Sequence, residues 1–194
     1  MVFYSYAPIA VSKAPLSPHL NDYFESASVK NAQSRYAALS LLQALAERTE
    51  LPVKFPVLKT EHGRPYFDAE NAPDFNLSHS GDLAACILGT CRTGIDIQEE
   101  LDTLEAEKLT ARFFGEREQA LMASAPRELF FELWTKKEAL SKYLGTGLTP
   151  LLKKDTEEIA SEHGVRLVSE RIFIGGRAYT LSLCAAEPVT FIQI

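Results

Sequence analysis

A chain of 194 residues, 46% hydrophobic and 24% charged, holds enough apolar material for one large domain or two small ones around a shared core, which excludes extensive disorder. Its 20 Lys and Arg against 26 Asp and Glu leave a net charge of −6, without the basic surplus of a nucleic-acid binder, although a few local cations in a cleft still suffice for an anionic small ligand. The odd set Cys86, Cys91 and Cys184 lacks CxxC spacing, the first six residues lack a basic and then apolar leader, and no apolar run approaches about 18 residues; a cytoplasmic chain with no disulfide framework and no membrane span is expected.

In chain order, Val2 to Tyr6 predicts a first strand. Pro8 to Ser28 holds three prolines and reads as irregular. Ala38, Leu41, Leu42 and Leu45 recur at helical spacing within a helix over roughly Asn31 to Arg48. Pro52 and Pro56 break the chain beyond that helix, and His62-Gly63-Arg64-Pro65 is a turn. Phe75 to Ser78 is a short extended piece. Leu83 to Leu88 and Gly94 to Gln98 are strands, expected to form a hairpin across a longish loop. Three helices come next, over Leu101 to Phe113, Gly115 to about Ala123 and, beyond Pro126, Glu128 to Leu144, which Gly145 stops. Lys153 to Glu162 reads as a solvated loop or short exposed turn. The tail returns to strands at Val165 to Val168, Arg171 to Ile174, Tyr179 to Cys184 and Val189 to Ile194, with Gly175-Gly176 as a hairpin turn. This order gives an α+β fold, divisible near Glu100 into halves 1–100 and 101–194.

Three segments can carry chemistry. Asp96 sits between Ile95 and Ile97, so strand alternation sends it to the face opposite the isoleucines. If that face lines a cleft rather than water, the carboxylate needs a cation. On the last long helix, Trp134, Glu138 and Lys142 succeed one another at four-residue steps, beside an apolar stripe of Phe130, Leu133, Leu140 and Leu144. A surface Glu–Lys pair is the plain reading of that row. Lys137, however, falls on the apolar stripe, where it either snorkels or points into a polar cleft. Phe75-Asn76-Leu77-Ser78-His79-Ser80-Gly81 is no GxSxG elbow, there is no HExxH, and Gly145-Thr146-Gly147 lacks the GK[ST] of a phosphate loop.

Together, Gly63-Arg64-Pro65, Phe75-Asn76-Leu77-Ser78-His79-Ser80, Gly94-Ile95-Asp96-Ile97, and Phe113-Phe114 with Glu118 ahead of Trp134-Thr135-Lys136-Lys137-Glu138-Ala139 and Lys142 resemble the 4'-phosphopantetheinyl transferase superfamily in its single-chain surfactin-synthetase type; Leu183-Cys184-Ala185-Ala186 is similar to its last core strand. The resemblance implies two similar α/β halves related by a pseudo-twofold axis, with coenzyme A in the cleft between them. It implies transfer of phosphopantetheine from coenzyme A to a serine of an acyl or peptidyl carrier protein, with Mg2+, in a monomer. Asp96 and Glu138 are then the metal ligands. Gln98 stands where the family often has a third acid, so its carbonyl or a water completes the shell. Glu118 supports the metal or the base, and Lys142 and Lys137 neutralise phosphate. Arg64, Ser78 and His79 face the nucleotide, and Lys30 and Arg35 lie where further 3'-phosphate contacts fall. Two other readings keep these residues: a non-catalytic coenzyme A or carrier-binding module, and a metal-dependent nucleotide phosphohydrolase.

Overall fold

In the computed structural model, which describes residues 1–11, 15–27, 30–101, 106–123 and 127–194, strands and helices mix as the α+β reading expects. Strand β1 (Val2–Pro8) leads to helices α1 (Pro18–Glu25) and α2 (Ala32–Thr49), the short pair β2 (Val57–Lys59) and β3 (Pro65–Phe67), and then β4 (Asp74–Ser80) and β5 (Leu83–Gly89). The chain continues through β6 (Thr93–Glu99), α3 (Ala106–Phe113), α4 (Glu116–Met122), α5 (Arg127–Leu144), a 3-10 turn (Thr149–Leu151), α6 (Thr156–Glu162), β7 (Arg166–Ile174), β8 (Arg177–Ala185) and β9 (Val189–Phe191).

The strands form sheets of order β4-β5-β1-β9 and β6-β8-β7, with β2 and β3 paired apart. One topology is used twice: a first strand, a helix of 18 residues, then a hairpin whose second strand takes the central place beside the first strand. The hairpin is β4–β5 in one case and β7–β8 in the other, both antiparallel. The Gly175-Gly176 turn of the latter adopts positive φ at both residues, which a side chain would resist.

Strand β5 explains its unbroken apolar run. Ala85 and Ile87 pack with Ile95, Ile97, Leu181 and Leu183 between the two sheets, while Cys86 and Leu88 pack under α2 with Leu39, Leu42 and Leu45. A strand buried on both faces has no polar side to alternate with. Cys86 and Cys184 are free, buried core residues; Cys91 is half-buried.

The predicted hairpin of β5 with β6 does not form. Strand β5 pairs with β1 and β4, and β6 pairs with β8 along its whole length, Thr93 opposite Ala185 through Glu99 opposite Tyr179. Apolar runs of equal length do not encode which neighbour they bond, so adjacency in sequence misled.

Where β4 meets β6, side chains replace a backbone ladder. Asp74 Oδ2 accepts from Thr93 N (2.8 Å), Ser78 Oγ from Ile97 N (3.2 Å) and Ser80 Oγ from Glu99 N (2.9 Å). The constant offset of 19 residues means that the two strands run parallel, edge to edge.

Helix α1 lies in the stretch read as irregular. Pro18 occupies its first turn, where a missing N–H costs nothing, and Leu20 is fully buried. Helix α6 replaces the expected exposed loop: Ile159, Ala160 and Thr156 are buried while Glu157 and Glu158 face outward, a narrow apolar edge hidden among charges. The two tail strands expected between Val165 and Ile174 are one continuous β7. Helix α3 is described from Ala106; residues 102–105 of the longer expected helix, Pro126 and Ser28 lie outside the described residues.

Candidate active site

Strand β6 and helix α5 build the site. Ile95 and Ile97 go into the core between the sheets, which turns Gly94, Asp96 and Gln98 toward α5. At Gly94 the helix comes so close that a Cβ would lie 2.1 Å from Ala139 O and 2.8 Å from Tyr143 N. That approach sets the helical row Trp134, Glu138 and Lys142 against Asp96 and Gln98. All five line one cavity of about 340 Å³, with Ser78 and His79 on its rim from β4.

Asp96 is buried. Its Oδ1 accepts from Lys142 Nζ at 2.7 Å and from Ser78 Oγ at 2.8 Å. Lys142 Nζ also donates to Ser78 Oγ (3.0 Å) and Ile95 O (3.0 Å). Ser78 Oγ therefore donates once and accepts twice, counting Ile97 N; it holds the carboxylate in place from inside the fold. Glu138 is half-buried, and its side chain has no hydrogen-bond or ion-pair partner among the described residues. Burial raises its carboxyl pKa, the Asp96 charge raises it further, and Lys142 opposes both. Desolvation lowers the His79 pKa, and the Lys142 charge acts the same way, which favours the neutral imidazole.

Two carboxylates facing one lysine leave an excess of negative charge that a divalent cation would relieve. Among the described residues no group of three or more His, Cys, Asp or Glu gathers as a metal cage. The donor set is instead two acids and an amide. Gln98 donates its amide nitrogen to Glu99 O (3.2 Å), so its side-chain oxygen is the atom that could meet a cation. Such a set suits Mg2+, which keeps waters and takes one or two carboxylates beside phosphate oxygens. Glu99 lies toward Arg177 (3.5 Å) and is not among the cavity's lining, in keeping with strand alternation.

A second cavity, of about 370 Å³, adjoins the first and shares Leu77, His79 and Lys142 with it. Lys30, Arg35, His62 and Arg64 line it together with the neutral polar Tyr23 and Asn76. Arg35 lies over the Phe24 ring and donates to Lys30 O (3.4 Å). Sequence reasoning missed Tyr23, which sits on the unexpected α1, and Trp134 as a cavity wall, although its place in the Glu138–Lys142 row was the available signal.

Two expected site residues lie elsewhere. Lys137 is fully buried, neither snorkelling nor in the cavity, and its Nζ meets Glu118 Oε2 (3.1 Å), Lys154 O (2.5 Å) and Leu151 O (3.4 Å). Burial lowers its pKa, and Glu118 pulls it back up. Glu118 also accepts from Gly115 N (3.1 Å), Thr156 N (2.9 Å) and Thr156 Oγ1 (2.5 Å), so its oxygens are engaged in tying α4 to α5 and α6. An apolar stripe cannot show whether a lysine on it has a buried acid waiting. Glu118→Gln or Lys137→Met leaves the other partner unpaired in the interior and is expected to lower stability by about 3–5 kcal/mol; chemical denaturation measures it, and a loss under about 1 kcal/mol would contradict the pairing.

A family model of the 4'-phosphopantetheinyl transferase superfamily matches residues 92–180, a range that includes Asp96, Glu138 and Lys142. The 4'-phosphopantetheinyl transferase AcpT of Escherichia coli (strain K12) is 31% identical over 185 residues, covering 93% of this chain and 88% of the relative. The chain belongs to the 4'-phosphopantetheinyl transferase superfamily. The 4'-phosphopantetheinyl transferase HetI of Nostoc sp. is 43% identical over 88 residues, 43% of this chain and 37% of that protein. A 4'-phosphopantetheinyl transferase of Bacillus subtilis is 34% identical over 143 residues, 66% of this chain and 62% of the relative. In these last two the match spans less than two thirds of the relative's own length. The matched range holds both the strand that bears Asp96 and the helix that bears Glu138 and Lys142.

Proposed function

We propose that the chain is a Mg2+-dependent 4'-phosphopantetheinyl transferase, moving the phosphopantetheine arm of coenzyme A to a serine of an acyl or peptidyl carrier protein and releasing 3',5'-ADP. The observation that carries this reading is the shared cavity of Asp96, Glu138 and Lys142, adjoining a second pocket lined by Lys30 and Arg35. The nucleotide belongs in the cationic pocket and its diphosphate at the junction where Lys142 and His79 serve both spaces. Asp96, Glu138 and Gln98 would hold Mg2+, which when bound neutralises diphosphate charge. Lys142 adds a fixed positive charge beside the same phosphates, and phosphoryl transfer depends on such positioning and neutralisation. As the new O–P bond forms and the bond to 3',5'-ADP breaks, the serine proton passes to Glu138 or to a water in this cavity. A cytoplasmic monomer goes with this reading; among the described residues no helix is long and apolar enough to cross a membrane.

Mass spectrometry of an apo carrier protein incubated with the chain, coenzyme A and Mg2+ tests the reading. Gain of one phosphopantetheine on the carrier serine, absent without Mg2+, is the expected result. Release of phosphate or phosphopantetheine without a carrier would indicate a phosphohydrolase, and coenzyme A binding with no product a binding module.

Metal affinity leaves a thermal signature. The Glu138 pKa is raised in the folded state, so its proton stabilises the fold at low pH and that contribution is lost as pH rises through the folded pKa. A divalent cation binds the deprotonated form and restores the loss. Added MgCl2 is therefore expected to raise Tm more at about pH 8 than at about pH 5, and the difference should vanish in Glu138→Gln. Differential scanning calorimetry decides it; equal shifts at both pH values would remove Glu138 from the metal site.

A further inference from the structure

We propose that Arg64 is a positioning residue: held on Asp74, it fixes the last turn of α5 and thereby places the Lys142 amine against Asp96. The activity side of this inference rests on the transferase reading above; the geometric side does not.

A guanidinium has five N–H donors in a rigid fork. In Arg64 all five are engaged within the protein. Nε donates to Lys142 O at 2.8 Å. Nη1 donates to Asp74 Oδ1 (2.9 Å) and Pro65 O (3.3 Å), and Nη2 to Asp74 Oδ2 (2.5 Å) and Thr93 O (3.0 Å). The side chain is 5% exposed. Although Arg64 lines the cationic pocket, no donor is left over for a phosphate. Its counter-ion is equally committed: Asp74 also accepts from Thr93 N (2.8 Å) and Thr93 Oγ1 (3.1 Å).

The clamp acts on an exposed weakness of every helix, the last carbonyls with no partner of their own. In α5 these belong to Lys142, Tyr143 and Leu144. Arg64 takes the first, and Arg92 takes Tyr143 O and Leu144 O. Lys142 is thus gripped at both ends, its carbonyl by Arg64 and its Nζ by Asp96, Ser78 and Ile95 O. A shift of the terminal turn would carry the amine off Asp96. Lysine at position 64 could not substitute, because one ammonium cannot bridge Asp74, the start of β6 and the end of α5 together.

The test needs no ligand in its first arm. Full-length wild type, Arg64→Lys and Asp74→Asn are treated with an amine-acylating reagent, and labelling of each lysine is followed by mass spectrometry. Labelling of Lys142 is expected to rise about tenfold in both variants, the change that loss of a charge-assisted hydrogen bond implies, while Lys137, buried elsewhere, stays protected. Asp74→Asn keeps the side-chain shape but removes the charge and turns one acceptor oxygen into a donor, which breaks the fork-to-fork pair, so it serves if Arg64→Lys folds poorly. In the second arm, both variants are expected to lose about tenfold or more in kcat, equally with coenzyme A and dephospho-coenzyme A, and the double variant to be no worse than either single one. Unchanged labelling of Lys142, or an equal rise at Lys137, overturns the proposal. So does a rise in KM for coenzyme A but not dephospho-coenzyme A confined to Arg64→Lys, which would make Arg64 a ligand contact. Failure of the wild type to transfer would refute the transferase reading and leave the labelling to judge Arg64.

Discussion

Asp96→Asn is expected to reduce transfer by about 10²–10³-fold or more while the protein melts near its usual temperature. The asparagine keeps the shape and an oxygen for Ser78 and Lys142, so the fold loses little. What disappears is the negative charge on which a divalent cation in this cavity depends, and with it the neutralisation that phosphoryl transfer requires. Glu138→Gln should behave alike, because the two acids face one cavity from separate elements and neither has a substitute among the described residues. Carrier modification read by mass spectrometry, paired with calorimetric melting, separates chemistry from stability. Turnover within about threefold of wild type in either variant, with Mg2+ as the sole divalent ion, would remove the acid pair from the mechanism.

The second large effect concerns a residue with no functional group. Gly94→Ala would put a methyl carbon 2.1 Å from Ala139 O and 2.8 Å from Tyr143 N, both backbone atoms of α5. No side-chain rotation relieves a clash with a helix backbone, so strand and helix must part. Overpacking of this kind costs about 1–3 kcal/mol or more. For a chain of this size that corresponds to a fall in Tm of roughly 2–12 °C. The activity loss should exceed what the melting predicts, since Glu138 and Lys142 ride on the displaced helix while Asp96 stays on the strand. Measuring kcat well below Tm exposes the difference: activity equal to wild type at that temperature would mean that the close approach serves packing alone.

Much of this site was legible because two short-range periodicities govern it. Alternation on β6 set Asp96 apart from Ile95 and Ile97, and four-residue steps on α5 aligned Trp134, Glu138 and Lys142. The structure brings these rows to one cavity. The hidden features depend on partners distant in sequence. Lys137 differs from a snorkelling lysine only through Glu118, and Arg64 from a phosphate ligand only through Asp74 and the carbonyls at the end of α5. Likewise β6 takes β8 rather than β5 as its neighbour, a pairing between residues distant in sequence that the pattern of neither strand encodes. Helices α1 and α6 escaped notice because each is short and buries only a few residues, too little periodicity to stand out from the prolines and acids around them.

The seam of side chains between β4 and β6 has a consequence for solubility. Each strand is the terminal member of its own sheet, and an unprotected terminal strand offers unsatisfied peptide groups to any stray chain. Here the vulnerable borders are turned upon one another, and Thr93, Ile97 and Glu99 find their acceptors in Asp74, Ser78 and Ser80. The joint that brings Ser78 beside Asp96 thereby also closes two borders against intrusion by foreign polypeptide.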